Sequence, residues 1–197
     1  MKQNRQSIRL QGYDYSRKGA YFITICAKNR QCLFGKIADD KMVLNMYGKI
    51  IQGEWIESSK IRKEIRLDHF IVMPNHIHGI IFITNQNPSS RSTETNNVGA
   101  TGRSPLPRGP KPKSLGSFVA GFKSIVTKRI NELRKTPGIS VWQRNYYDHI
   151  IRNENELHQT REYIVNNPAK WEYDRENPAA RTTNTVTGRP AGRPYNL

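Results

Sequence analysis

Acidic residues are scarce in this chain. Over 197 residues, 16 Asp and Glu stand against 32 Lys and Arg, giving a formal net charge of +16 and a pI of about 10.1. An excess of that size favours a polyanionic partner, nucleic acid first. Cysteine is nearly absent: Cys26 and Cys32 are too few for a disulfide framework or a thiolate zinc site, and both are read as reduced structural residues. No apolar run reaches about 18 residues, and no apolar stretch of the signal-peptide kind opens the chain. The expectation is a soluble, cytoplasmic, nucleoid-associated protein with no membrane partner. A Gly-x-x-x-x-Gly-Lys loop is also missing, which argues against an NTP-driven motor. Hydrophobic residues make up only 36 %, so part of the length is expected to lie outside any core.

What remains is organised. Residues 20–27 alternate and are rich in β-formers, which predicts a strand, with residues 34–44 returning as its partner. Residues 46–59 carry Tyr47, Ile50, Ile51 and Trp55 at helical spacing. Residues 67–73 and 76–83 read as two strands joined by Pro74-Asn75, a pair of turn formers. Residues 85–113 hold five prolines and no aromatic residue, which predicts a flexible insertion. Helical periodicity resumes over 114–133, with Leu115, Phe118, Val119, Phe122, Val126 and Ile130 on one side and Lys123 among the residues decorating the rest. Residues 141–152 are aromatic and basic and fit no single element. Asn153, with Glu156 three residues later, predicts a capped helix start, and Pro168 its end. The domain expected is 1–174, with the 85–113 insertion inside it and a disordered basic tail over 175–197. Strands and helices in this order predict an α+β fold, ferredoxin-like, with an antiparallel sheet and helices against one face.

Chemistry concentrates in the run Met73-Pro-Asn-His76-Ile77-His78. On a strand, alternate side chains share a face, so His76 and His78 project together and make half of a metal site. Spacing alone makes such a pair more often structural than ligating. Tyr163 and Asn167 stand at i and i+4 of a predicted helix, so a phenol and an amide ligand would arrive side by side. Imidazole and carbonyl donors leave positions open for a divalent ion to grip a phosphate, and a tyrosine is a suitable phosphoryl nucleophile because its phenolate leaves readily in the reverse step. By itself a tyrosine such as Tyr163 is more often a half-buried core residue. Tyr146 and Tyr147 are rival nucleophiles, but Ile150 and Ile151 occupy their i+4 positions, so they are read as packing or base-stacking residues. Trp142, Gln143, Arg144, His149 and Lys123 are candidate DNA contacts. For Trp142 core packing is the equal alternative, and for His149 a position behind the metal ligands.

Three segments in order, His76-Ile77-His78 after Met-Pro-Asn, Trp142-Gln-Arg-Asn-Tyr-Tyr-Asp-His-Ile-Ile-Arg152, and Glu162-Tyr163-Ile-Val-Asn-Asn167-Pro168, resemble the REP-associated tyrosine transposases. These belong to the HUH (His-hydrophobic-His) single-tyrosine transposases. The resemblance runs from about Tyr13 to Trp171, interrupted by residues 85–113. Asn167 takes the position that is often glutamine in the wider superfamily. The resemblance implies cutting and rejoining of single-stranded DNA through a 5′-phosphotyrosine on Tyr163. It further implies Mg²⁺ or Mn²⁺ on His76, His78 and Asn167, and DNA hairpins near short palindromic repeats as substrate, for a monomer or homodimer. The alternative is a nucleic-acid-binding protein on the same fold that has lost catalysis or been adopted by its host.

Overall fold

Strand β1 (Gly19–Cys26) is buried along nearly its whole length, as a strand covered on both faces must be. The computed structural model describes residue 10, residues 12–84 and residues 109–180. After β1 come β2 (Gly35–Ala38), β3 (Lys41–Leu44), α1 (Met46–Ile61), β4 (Ile65–Val72), β5 (His76–Ile83), α2 (Leu115–Arg134), β6 (Tyr147–Ile151) and α3 (Glu154–Asn166). The main sheet has the order β4-β5-β1-β6, with every neighbouring pair antiparallel. Strand, helix, two strands, helix, strand in this spatial order is the ferredoxin-like α+β arrangement. Among the described residues no helix is long and apolar enough to cross a membrane.

Two features differ from expectation. Residues 34–44 do not pair with β1; β2 and β3 form a separate two-stranded sheet. Both edges of β1 are already taken, by β5 and by β6, so no backbone groups remain for a third partner. The undecided residues 141–152 supply β6. The second difference concerns the helices. Leu115, Phe118, Val119, Phe122 and Val126 of α2, with Ile51 and Trp55 of α1, pack on Tyr21, Ile23, Ile25, Ile77 and Ile81. The alternate residues Ala20, Phe22 and Ile80 pack instead with Leu157 and Ile164 of α3. Helices therefore cover both faces, and α3 has one to itself.

Local chemistry sets these elements. Asn45, Ser114 and Asn153 cap α1, α2 and α3 by accepting backbone N–H bonds. The expected capping box at α3 is half made: the Asn153 side chain accepts from the Glu156 N–H, but the Glu156 carboxylate turns to the Arg152 N–H and to His149. Gly79 is required on the α1/α2 face, because a Cβ there would lie 2.5 Å from the Trp55 ring. That ring stacks on Phe70 at 4.3 Å and meets Phe118 and Phe122 edge-on. On the other face, β4 shifts register between Leu67 and Phe70. Asp68, in this irregularity, takes two bonds from the Arg161 guanidinium, at 2.9 and 2.7 Å. That fork, which holds the Asp68 carboxyl well below the usual carboxylate range, clamps α3 to the sheet two residues from Tyr163.

Of the expected insertion, residues 85–108 lie outside the described residues, and residues 109–113 are exposed. Contacts continue past residue 174, where the tail was expected to begin. Glu176 and Asn177 are both engaged with the domain, and residues 181–197 lie outside the described residues. Both cysteines are free thiols; Cys26 is largely buried and Cys32 is exposed, so only Cys26 fits the structural role expected of both.

Candidate active site

Strand alternation puts His76 and His78 on the α3 face of β5, where both are almost completely buried. Their Nε2 atoms lie 2.9 Å apart. Each Nδ1 is held from behind. The Asn75 Oδ1 faces Nδ1 of His76 at 2.9 Å, while the Asn75 amide N–H groups donate to the carbonyls of Arg30 and Glu176. Asn75 can therefore only accept from His76, which puts the proton on Nδ1 and leaves Nε2 as a lone pair. Thr24, directly across the ladder from His78, has its hydroxyl 2.9 Å from Nδ1 of that ring. Burial pushes both imidazoles down, His78 to about 3, and for His76 the neighbouring His78 and Arg30 add to the effect. Both rings are neutral at physiological pH, the state a metal requires.

Asp174 completes the cluster. It follows the short 3-10 segment Pro168–Tyr173, and its Oδ2 is 3.8 Å from Nε2 of His76. The ligand atoms of His76, His78 and Asp174 all lie within 4.8 Å of one another. The donor set suits a divalent cation on three counts. With Nε2 of His76 a lone pair, its 2.9 Å approach to Nε2 of His78 calls for a proton or a cation between the two rings. Neighbouring donors about 2.1 Å from an octahedral ion stand roughly 3.0 Å apart, close to the observed separation. Among the described residues the Asn167 Oδ1, buried one helical turn beyond Tyr163, has no hydrogen-bond partner, an arrangement that costs about 1–3 kcal/mol unless something else engages it.

Tyr163 reaches the same point from α3. Its hydroxyl lies 3.3 Å from Nε2 of His78, and its ring packs against His78 and edge-on to Phe22. Burial pushes the phenol up, the Asp174 charge adds to this, and a hydrogen bond with Asn167 pulls the other way. The phenol is thus neutral at rest and oriented by its neighbours. A cleft of about 190 Å³ opens beside it, with Tyr163, His78, Asp174 and Arg30 among its walls.

The remaining candidates divide. Gln143, Tyr146 and Tyr147 line the cleft, and Arg144 is exposed. Trp142 is 4 % exposed, bridged to Ala27 and packed on Phe34 and Phe122; it is a core residue, so the DNA-contact reading fails for it. Lys123 is also not a free cation, because its ammonium donates to the carbonyls of Gln143 and Arg144 at 2.5 and 3.0 Å. His149 pairs with Glu156 of α3, so neither a metal-site nor a phosphate role is needed to explain it.

Sequence reasoning missed Asp174, Thr24, Asn75 and the Arg30–Glu176 pair. One signal was present for the acids: Glu172, Asp174 and Glu176 cluster just after Asn167 in a chain otherwise poor in carboxylates. Thr24 carried none, since its importance lies in the register of β1 on β5.

No family model matches the chain. The solved structure of a REP-associated tyrosine transposase bound to a REP hairpin is similar with a TM-score of 0.54, over 96 % of this chain and 94 % of that one, at 17 % identity. Likeness at that identity shows a shared fold. A protein of Haemophilus influenzae, described only as uncharacterized, is 44 % identical over 172 residues, 87 % of this chain and 92 % of the relative. At that identity and coverage, this chain and the Haemophilus protein belong to one family.

Proposed function

We propose that this protein is a transposase-type nuclease that cuts and rejoins single-stranded DNA, with Tyr163 as nucleophile. The observation that carries the reading is the Tyr163 hydroxyl, 3.3 Å from Nε2 of His78 in the cluster with His76 and Asp174. DNA as substrate is supported by the net charge of +16 and by the fold likeness to a transposase bound to a REP hairpin. Hairpin-forming repeats are the substrate class proposed on that likeness.

In the forward step the Tyr163 oxygen attacks the scissile phosphorus and the bond from phosphorus to the 3′ oxygen breaks. The phenol proton ends on the departing 3′-hydroxyl, and the downstream strand stays on Tyr163 as a 5′-phosphotyrosine. In the reverse step an incoming 3′-hydroxyl attacks, and the phenol leaves with a proton restored. Tyrosine suits both directions because a phenolate, with a reference pKa of about 10, leaves far more readily than an alkoxide. His76, His78 and Asp174, with Asn167 as a further oxygen donor, would hold a divalent ion, which would supply Lewis-acid stabilisation of phosphate charge. Mg²⁺ or Mn²⁺ is the ion proposed, and two imidazole donors weigh against Mg²⁺, a hard ion that takes oxygen ligands. Thr24 and Asn75 hold the two rings by their Nδ1 atoms, and Asn167 orients the phenol. Residues 12–84 and 109–180 act as one catalytic unit in this proposal.

The test is to incubate the protein with Mn²⁺ and single-stranded DNA from its own locus, repeats included, and run a denaturing gel. A covalent protein–DNA band mapped by mass spectrometry to Tyr163 is the expected result. A band mapped to Tyr146 or Tyr147 would move the nucleophile, and no band at all would reject the enzymatic reading.

A further inference from the structure

The cleft beside Tyr163 is smaller than the roughly 300–1,000 Å³ that drug-sized ligands occupy. At about 190 Å³ it has room for a flat heterocycle and none for a base pair. The segment from Gln143 to Tyr147 contributes Gln143, Asn145, Tyr146 and Tyr147 to its lining, and Tyr163 and His78 line it as well. Two aromatic rings and two carboxamides are the residue types that stack on an unpaired base and read its edge.

The segment is also fixed in place. Trp142 anchors its start in the core and Tyr147 begins β6 at its end. The Gln143 N–H donates to the Cys26 carbonyl at 2.9 Å, and the Lys123 ammonium donates to the carbonyls of Gln143 and Arg144. With the Gln143 backbone fully used, only its side-chain amide is left to address the cleft. Among the described residues neither that amide nor the Asn145 amide has a hydrogen-bond partner. A rigid backbone carrying uncommitted amides is what selective readout requires, because little order remains to be imposed on binding.

We infer that this cleft receives one unstacked nucleobase, that of the nucleotide adjoining the scissile phosphate, and that Gln143 and Asn145 select its identity while Tyr146 and Tyr147 stack on it. Lys123 acts as a positioning residue, holding the reading segment at a fixed height above Tyr163. The inference rests on the proposed cleavage reaction, since it takes the cleft as the continuation of the site for the scissile phosphate.

The test uses the full chain with Mn²⁺ and a fully randomised pool of single-stranded oligonucleotides, followed by sequencing of the DNA captured as adduct. Expected is a preference of about tenfold or more for one base at one flanking position, collapsing towards even representation in Gln143→Ala or Asn145→Ala. The readout is a ratio within each sample, so a lower total yield does not affect it. Lys123→Met should weaken the preference in the same direction by loosening the segment. No preference at either flanking position, or a preference unchanged in both amide variants, would overturn the inference. A second measurement covers variants that fail to fold and a wild type that forms no adduct. Oligonucleotides carrying 2-aminopurine are bound to Tyr163→Phe protein, and quenching by stacking at a single position supports the pocket. Unchanged emission at every position overturns it. Absence of adduct with quenching intact would reject cleavage alone.

Discussion

Strands β1 and β5 present two faces built from alternating residues of the same segments, and the faces could hardly differ more. Towards α1 and α2 go Tyr21, Ile23, Ile25, Ile77 and Ile81, closed over by Trp55, Phe118 and Phe122. Towards α3 go Phe22, Thr24, His76, His78 and Ile80, met by Tyr163 and, past the end of α3, by Asp174. One face spends its burial on apolar contact. The other buries two imidazoles, a threonine, a carboxylate and an amide oxygen without a hydrogen-bond partner among the described residues, each of which costs stability unless it is paired. The division shows how a small domain carries a polar site: the rigid apolar face tolerates the cost on the other side of the same sheet.

The most severe disruption on the α3 face is Tyr163→Phe. Only an oxygen is lost, so covalent adduct should fall below detection on a denaturing gel while the melting temperature barely moves. Replacing His76 and His78 together by Ala comes next. Mn²⁺ affinity by calorimetry should drop by more than about 100-fold, beyond what loss of a supporting partner usually costs, and an undiminished affinity would mean the histidines serve packing alone. On the opposite face, Trp55→Ala should cost about 3–5 kcal/mol of stability in chemical denaturation. Adduct formation per folded molecule should be retained there, and losing it would break the separation of the two faces.

Smaller effects sharpen the same contrast. Asn75→Ala frees Nδ1 of His76 and the Arg30 and Glu176 carbonyls at once, so Mn²⁺ affinity should fall about 10- to 100-fold. Asn75→Asp, which keeps an acceptor for Nδ1, should recover part of it. The pH profile separates the faces most gently. His78 is held at about 3 in the folded protein against roughly 6.5 in an unfolded chain. As pH falls below about 6.5 the unfolded state takes up the proton first. The stability contribution is therefore complete above that pH and is lost as pH falls towards about 3, by up to roughly 1.4 kcal/mol per unit. His76 shifts in the same direction. Melting temperatures of the metal-free protein across this range should decline, and His78→Gln should flatten the decline; parallel curves for the two proteins would show that His78 is not shielded.

Much of the fold was legible in the sequence. The strand over 76–83, the helices over 46–59 and 114–133, and the α3 start at Asn153 all followed from side-chain period and capping residues, which act within a turn or two. Residues 34–44 and 141–152 were not legible in that way. Whether an extended segment pairs with β1 depends on which edges of β1 other strands have already occupied. Trp142 and Lys123 looked like DNA contacts because an aromatic residue and a cation have the same composition signature on a surface as in a supporting role.

The sequence by itself determined that His76 and His78 share one face and that Tyr163 and Asn167 share another, because both relations are fixed by backbone geometry within five residues. Tertiary structure alone decided that these two faces meet. It also brought Thr24 behind His78 through strand register, engaged the Nδ1 of His76 with an Asn75 whose other bonds reach Arg30 and Glu176, and carried Asp174 back to the imidazoles. Apart from the bond between the neighbours Asn75 and His76, each of those contacts joins segments far apart in the chain, and its existence follows from which surfaces pack best rather than from any local preference.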